Sequence, residues 1–413
     1  MARDAFPAVF TPIEAAHQLR AWAPGGSFAA RFHPLNSECA EAVAEDPDLR
    51  IFASPNTPFI TSSAGHGAQV AADELPELLI VSASLAHNAR GKSSEDREGF
   101  LEEVAATFYA FRRLIAGEEV TALTLLAFDG LSLRDGAQVE TPWGLLRPAT
   151  EIDAATAPMN LTPTVVLVIE RPCRLIVGED FDPDGLTAFR AEIGRATELL
   201  RLAALLGIER EDRITLGHVW STDVEPVLLS GFGFGSPRGT RAHRAMFFPP
   251  GAYVETGGDP LTEDEEGVLQ EWAELVERHH DPAIDIAVGR TLTALLERDE
   301  PQDALIDAVV ALENLFGHGE DSEVTFRVTT AAALLLEPDP TKRAELRSKL
   351  SKVYTARSKV IHGASTGSLQ IPERKEEAIE AAIGSLRALF SERPHLIADK
   401  ERGIRLILGT ADA

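Results

Sequence analysis

Residues 354–363 read Tyr-Thr-Ala-Arg-Ser-Lys-Val-Ile-His-Gly and close a predicted helix that spans residues 340–362. Apolar residues recur along this helix at helical spacing: Leu346, Leu350, Val353 and Val360. The position that completes their stripe is Arg357, so the pattern places a charge in an apolar seam, where it needs a partner. Gly363 follows at the point where a left-handed glycine commonly ends a helix.

A second predicted helix, residues 301–316, carries the opposite charge in the same kind of position. Glu313 lies within its apolar stripe, which consists of Leu305, Ile306, Val309, Leu312 and Phe316. Pairing with an arginine is the usual way to bury a carboxylate, and both Arg357 and Arg327 are candidates. Two interpretations remain open: the pair only fixes how the helices pack, or one arginine also reaches a cleft and holds a phosphate.

The chain around these two helices is predicted to have an α+β fold in two domains. Gly257-Gly258-Asp259-Pro260 marks the boundary. Residues 262–395 form an all-α domain with helices at about 262–279, 282–298, 301–316, 322–336, 340–362 and 372–391, and residues 396–413 form a C-terminal tail. Residues 1–256 form a mixed α/β region with helices at about 94–116 and 184–206, strands at 78–83 and 120–128, and a hairpin of strands 164–170 and 173–177.

The charge distribution limits the kinds of partner. The 413 residues carry a net charge of −26, which argues against a surface for non-specific nucleic-acid binding because such a surface would repel phosphates. Residues 342–359 are the exception, with seven basic residues and one acid. A phosphodiester is repelled least there. Along the sequence, however, aromatic residues do not alternate with basic ones as in a platform for stacked bases.

Composition also indicates the compartment. Cys39 and Cys173 are the only cysteines, so neither a disulfide framework nor a cysteine zinc site is predicted. The first residues lack the apolar run of a signal peptide, and no apolar stretch reaches the length of a membrane span. We expect a cytoplasmic protein without membrane contact, bound metal or cofactor.

A glycine-rich stretch, residues 231–239, reads GFGFGSPRG. Glycines that cradle a phosphate must open a helix, so that backbone N–H groups converge on the anion. No helical pattern follows here and Pro237 interrupts the spacing, so a connector is the better interpretation. This stretch is the weak support for a nucleotide-binding regulator.

Three elements together resemble the Apea-type branch of the HEPN superfamily over about residues 282–392. They are the helix that reads DALIDAVVALENLF (303–316), the Phe326-Arg327 pair before an alanine- and leucine-rich helix, and the pattern Tyr354-x-x-Arg357-Ser358-x-x-x-His362-Gly363. The Arg-x4-His element alone is weak evidence, because such pairs arise by chance. In combination with the Ala-Leu-Glu-x-Leu-Phe helix it is fairly specific.

The resemblance implies an all-α bundle that dimerises and brings two Arg-x4-His motifs into one cleft. It also implies a metal-independent endoribonuclease of phage defence or a toxin system, in which a ribose 2′-OH attacks the adjacent phosphate of an RNA such as tRNA. His362 would be the general base or acid and Arg357 would stabilise the phosphate. Glu313, Arg327, Tyr354 and Ser358 would support them, and three lysines would bind substrate: Lys349, Lys352 and Lys359. Many active relatives have Asn, Asp or His where this chain has Ser358.

Helical geometry sets a condition on this site. His362 follows Arg357 by five residues, so the two side chains point about 140° apart on one helix. They meet only if the helix ends, if the arginine reaches far, or if two chains face each other. A histidine at this position also has a plain interpretation as a cap that stabilises the helix dipole. The alternative to a ribonuclease is accordingly a non-catalytic HEPN module for binding or assembly, or a nucleotide-binding regulator.

Overall fold

The structure, a computed structural model, describes residues 33–53, 59–62, 67–69, 75–76, 79–80, 83, 97–149, 163–178, 183–210, 216–224, 259–318, 323–363 and 370–411. Two compact units divide the chain. The first holds residues 1–195 and 218–260, and the second holds residues 196–217 and 261–413. Helices and an antiparallel sheet are both present, which confirms the predicted α+β class. The glycine-rich stretch 231–239 lies outside the described residues.

The first unit is built around a five-stranded sheet. Its order is β4-β5-β6-β3-β8, and the pairs β4–β5, β5–β6 and β6–β3 are antiparallel. A second sheet has the order β2-β1-β7. The elements are α1 (His33–Glu45), β1 (Phe59–Ser62), β2 (Gly67–Gln69), α2 (Arg97–Ile115), β3 (Val120–Asp129), β4 (Val139–Thr141), β5 (Gly144–Pro148), β6 (Val165–Cys173), β7 (Leu175–Val177), the first part of α3 (Pro183–Gly207) and β8 (Gly217–Val224).

Two predictions in this unit are wrong. The predicted hairpin does not form, because β6 runs straight through Arg171-Pro172 and β7 pairs with β1 in the other sheet. After Val168, β3 is the only strand that the structure describes beside β6, so the other edge of β6 has no described partner there. Pro172 has no backbone N–H to donate, and such an edge tolerates it. Leu79, Ile80 and Ala83 are buried but helical. A short apolar run does not distinguish a strand from a buried helical segment, and here the strand prediction failed.

The second unit is helical, and each of the six predicted helices is present within a few residues. They are α4 (Glu263–His279), α5 (Asp285–Leu296), α6 (Pro301–Phe316), α7 (Val324–Leu336), α8 (Pro340–Ile361) and α9 (Ile371–Ser391), followed by α10 (Arg402–Leu408). Local signals explain the starts. Thr262 and Glu265 form a capping box before α4, and the Asp339 carboxylate accepts hydrogen bonds from two backbone N–H groups of α8.

Helix α6 forms the centre of this unit and packs against α5 and α9. Its buried face carries Ala304, Leu305, Ala308, Val309, Ala311, Leu312, Leu315 and Phe316. The second half of α3, from Ala196 to Gly207, also belongs to this unit. At Gly207, α3 passes close to α4, because a Cβ there would lie 2.7 Å from the Trp272 ring. None of the described helices combines the length and apolar character needed to cross a membrane.

The segment predicted as a tail, residues 396–413, instead contains α10 and part of the core. Arg402 is fully buried and donates hydrogen bonds to the carbonyls of Leu315, Leu396 and Ile397. At Gly403 the chain passes so close to α6 that a Cβ would lie 2.5 Å from the Phe316 carbonyl oxygen. The prediction of a tail for residues 396–413 is therefore wrong.

Candidate functional site

Arg357 of α8 faces Glu313 of α6, one of the two pairings that the sequence left open. The guanidinium Nη2 lies 3.6 Å from Glu313 Oε2, and the two side chains are 28% and 29% exposed. At that distance the contact is an ion pair without a hydrogen bond. The seam is therefore only partly buried at this point, and the Arg357 guanidinium is accessible from solvent on one side.

Arg327, the other candidate partner, binds the end of α6 instead. Its Nη1 donates to the carbonyls of Gly317, at 3.3 Å, and His318, at 2.7 Å. These carbonyls follow the last turn of α6, where acceptors lack helical partners and a cation is favoured. Arg327 thus fixes the end of the helix that carries Glu313.

Tyr354 lies beside this ion pair with an unsatisfied hydroxyl. Its side chain is buried, with 7% of the residue exposed, and its hydroxyl has no hydrogen-bond partner among the described residues. Burial, together with the nearby Glu313 carboxylate, raises the pKa of the Tyr354 hydroxyl above its usual range, while Arg357 opposes this shift. The Nε of Arg357 is likewise buried and unpartnered. Since buried polar groups are nearly always bonded, these two donors have capacity for a water or a ligand oxygen.

His362 lies about 140° from Arg357 around the axis of α8. The helix ends at Ile361, and His362 is its C-cap, with its backbone N–H donating to the Ser358 carbonyl at 3.1 Å. Gly363 follows with a φ of +69°, the left-handed conformation predicted for it. His362 and Ser358 are exposed. No hydrogen bond or ion pair joins His362 to Arg357 in the described part of the chain, so one protomer does not bring the pair together.

The three lysines assigned to substrate are exposed on α8. Lys352 and Lys359 are seven residues apart and so lie almost in line along the helix, about 20° apart, with Lys349 about 60° to one side. Lys359 is also about 60° from His362 around the helix axis. None of the three forms an ion pair with a carboxylate that the structure describes. The charges of Lys352 and Lys359 are therefore available to a polyanion within about 80° of His362, whereas Lys349 lies about 140° from it around the helix.

Sequence reasoning missed two residues that lie next to these elements. Arg347 of α8 places its guanidinium 4.8 Å from the ring centroid of Phe326, in the first turn of α7. The two residues are 21 positions apart, so no local pattern could show that they meet. Arg402 was missed for the same reason, because its three acceptors lie on α6 and on the turn before α10.

The comparisons add no relative to this picture. The chain matches no protein-family model, no curated protein and no solved structure. Within the described residues, no three histidine, cysteine or carboxylate side chains are grouped so that they could hold a metal ion. The chemistry of the site must therefore be argued from its own side chains.

Proposed function

We propose that the protein is a HEPN-type endoribonuclease that cleaves RNA in a homodimer, with Arg357 of one copy and His362 of the other in each site. The observation that carries this proposal is the contrast between the two residues. His362 is exposed at the end of α8, and Arg357 is half-buried with an unpartnered Nε and one long ion pair. Both have free capacity for a substrate, and their divergent directions favour a site that a second chain completes.

The proposed reaction divides the chemistry between these two side chains. Neutral His362 takes the proton from the ribose 2′-OH as the 2′-oxygen forms a bond to phosphorus. The bond from phosphorus to the 5′-oxygen breaks, and the leaving oxygen takes a proton from the imidazolium. The products are a 2′,3′-cyclic phosphate and a 5′-hydroxyl. Arg357 donates hydrogen bonds to the phosphate oxygens as negative charge builds on them, and proton transfer contributes on the order of 10²–10⁴-fold.

Charge supports RNA as the substrate class. In a protein with a net charge of −26, residues 342–359 carry seven basic residues and one acid. Lys349, Lys352 and Lys359 are exposed. A phosphodiester backbone would meet these charges on its way to His362. A role in phage defence or as a toxin is part of the same proposal and rests on the family resemblance alone.

The first experiment incubates the purified protein with tRNA and total RNA in the presence of EDTA. We expect cleavage that ends in 2′,3′-cyclic phosphates, and no cleavage by His362→Ala. The matched control is His318→Ala, which removes another exposed histidine and keeps the backbone carbonyl that Arg327 binds. Identical intact RNA from wild type and His362→Ala, with and without phage-infected cell extract, would remove the proposal.

A mixing experiment tests whether each site is shared between two chains. Arg357→Ala and His362→Ala are each expected to be inactive alone. In a mixed dimer one site loses both residues and the other keeps both, so a randomised mixture should recover about one quarter of wild-type activity. No recovery, in a mixture that demonstrably exchanges subunits, contradicts a shared site.

The Arg357–Glu313 ion pair also favours a second candidate, a non-catalytic HEPN module in which both residues only fix α8 against α6. This candidate predicts that Arg357→Ala lowers the melting temperature and that His362→Ala has no effect on any activity. A ribonuclease instead requires that His362→Ala abolishes cleavage while it leaves the melting temperature unchanged.

A further inference from the structure

Among the described residues of the helical unit, the contact between Phe326 and Arg347 joins an exposed aromatic ring to a cation. Phe326 is 46% exposed, a large fraction for a phenylalanine. The Arg347 guanidinium lies 4.8 Å from its ring centroid, within the range of a cation–π contact. Arg347 is itself exposed and forms no ion pair with the carboxylates that the structure describes. The ring and the cation together form an exposed, positively charged surface, here called the α7–α8 platform.

Such a surface has two possible roles. A cation–π contact holds α7 against α8, but an exposed one contributes little to stability. Proteins that bind single-stranded nucleic acid use the same combination of an aromatic face and an arginine to stack bases, next to basic residues that follow the backbone. The basic residues of α8 supply that second requirement.

The position of the platform relative to His362 supports the nucleic-acid role. Arg347 and His362 are fifteen residues apart on α8, so they lie about 60° apart around the axis and about 22 Å apart along it. Ser351 and Ser358 lie between them on the same side of the helix and present short polar side chains. A strand of stacked bases advances roughly 3.4 Å per nucleotide, so about six nucleotides span this distance.

We propose that the α7–α8 platform stacks an unpaired base of single-stranded RNA about six nucleotides from the bond that is cleaved. This inference rests on the proposed function, since it assigns a substrate class to the same face of α8. Stacking requires an unpaired base, so the platform selects single-stranded segments such as loops over continuous duplex. It reads no particular base, because every base has a flat face.

Binding is measured without cleavage by using a short, fluorescein-labelled 2′-O-methyl oligoadenylate, whose capped 2′-oxygen cannot attack. In fluorescence anisotropy at low salt, Phe326→Leu should weaken binding about 5- to 150-fold, the range found when one stacking side chain is lost. Phe326→Trp should restore it, and its tryptophan fluorescence should fall on addition of the oligonucleotide. Val324→Ala is the matched control, because Val324 is an exposed apolar residue of the same helical turn.

The outcomes separate this inference from the ribonuclease proposal. Wild-type affinity in Phe326→Leu overturns the platform even if its melting temperature falls, since the contact would then serve only to hold α7 to α8. Absence of binding by the wild type also overturns it. Cleavage of RNA with no dependence on Phe326 removes the platform and keeps the ribonuclease. Binding that depends on Phe326, without any cleavage that depends on His362, keeps the platform and removes the ribonuclease.

Discussion

Replacing Arg402 with methionine should destabilise the helical unit more than any change in the proposed RNA site. Arg402 is fully buried, and its guanidinium donates to the carbonyls of Leu315 at 3.1 Å, Ile397 at 2.6 Å and Leu396 at 2.9 Å. The Leu396 carbonyl also accepts from the Asp399 N–H. The carbonyls of Leu315 and Ile397 have no other described partner, so methionine leaves both buried and unbonded.

The magnitude follows from these two acceptors. An unsatisfied buried carbonyl costs about 1–3 kcal/mol, so the pair amounts to about 2–6 kcal/mol. Methionine also removes a charge whose burial lowers the pKa of Arg402, and this offsets part of the loss. We therefore expect the free energy of unfolding to fall by about 2 kcal/mol, toward the lower end of that range. Arg402→Lys should lower the free energy of unfolding by a similar amount, because one ammonium group cannot reach all three carbonyl acceptors as the planar guanidinium does.

Urea denaturation followed by circular dichroism measures this loss, with the slope compared between variants to confirm that the same transition is seen. Arg405→Met is the control on the same helix. Arg405 is 46% exposed and pairs with Asp399 at 2.8 Å, so its loss should cost no more than about 1 kcal/mol. If Arg402→Met unfolds at the same urea concentration as the wild type, the guanidinium contributes nothing net and the reasoning is refuted.

Three further predictions concern other contacts of the helical unit. Arg357→Ala should cost only about 1 kcal/mol in a thermal melt, because its ion pair is long and partly exposed; a loss above 3 kcal/mol would contradict this. Gly403→Ala should destabilise, whereas Gly267→Ala, with open space around its Cβ, should stabilise by about 0.5–1 kcal/mol. The hydrogen bond from Arg210 lowers the pKa of Glu265 from 4.5 to about 2. The ionised carboxylate therefore stabilises the fold above pH 4.5, and this stabilisation is lost as the pH falls toward 2. The difference in free energy of unfolding between the wild type and Glu265→Gln should shrink over that interval in acid titrations.

The sequence predicts the helices well where the signals are local. The apolar period locates six helices within a few residues, and the structure shows side-chain caps such as Thr262 and Asp339 at their starts. The pairing of Glu313 with an arginine follows from the same period, because two charges in facing seams have few other solutions. The choice of Arg357 over Arg327 does not follow from it, since it depends on how three helices are placed in space.

Contacts between residues distant in sequence lie beyond this kind of prediction. The Phe326–Arg347 contact and the three acceptors of Arg402 arise only after the helices pack, and neither leaves a periodic trace. The strand prediction failed at residues 79, 80 and 83 for another reason, because a short buried apolar run fits either a strand or a helical segment. At Arg171-Pro172 a turn-like dipeptide was overridden by the pairing of β6 with β3.

The contribution of α3 to the helical unit has a consequence for how the protein is made. Residues 196–217 belong to a unit whose other residues, 261–413, are translated only after the intervening segment. Arg387 donates to the Leu206 carbonyl, and Arg402 to that of Leu315, so both of the last helices complete contacts begun much earlier. On the ribosome, residues 196–207 are therefore made before the other helices of their unit, and the contact with Arg387 forms only after α9 has been synthesised. A truncated chain that stops before α9 would lack this contact and would leave the part of α6 that packs against α9 exposed, so we expect it to aggregate.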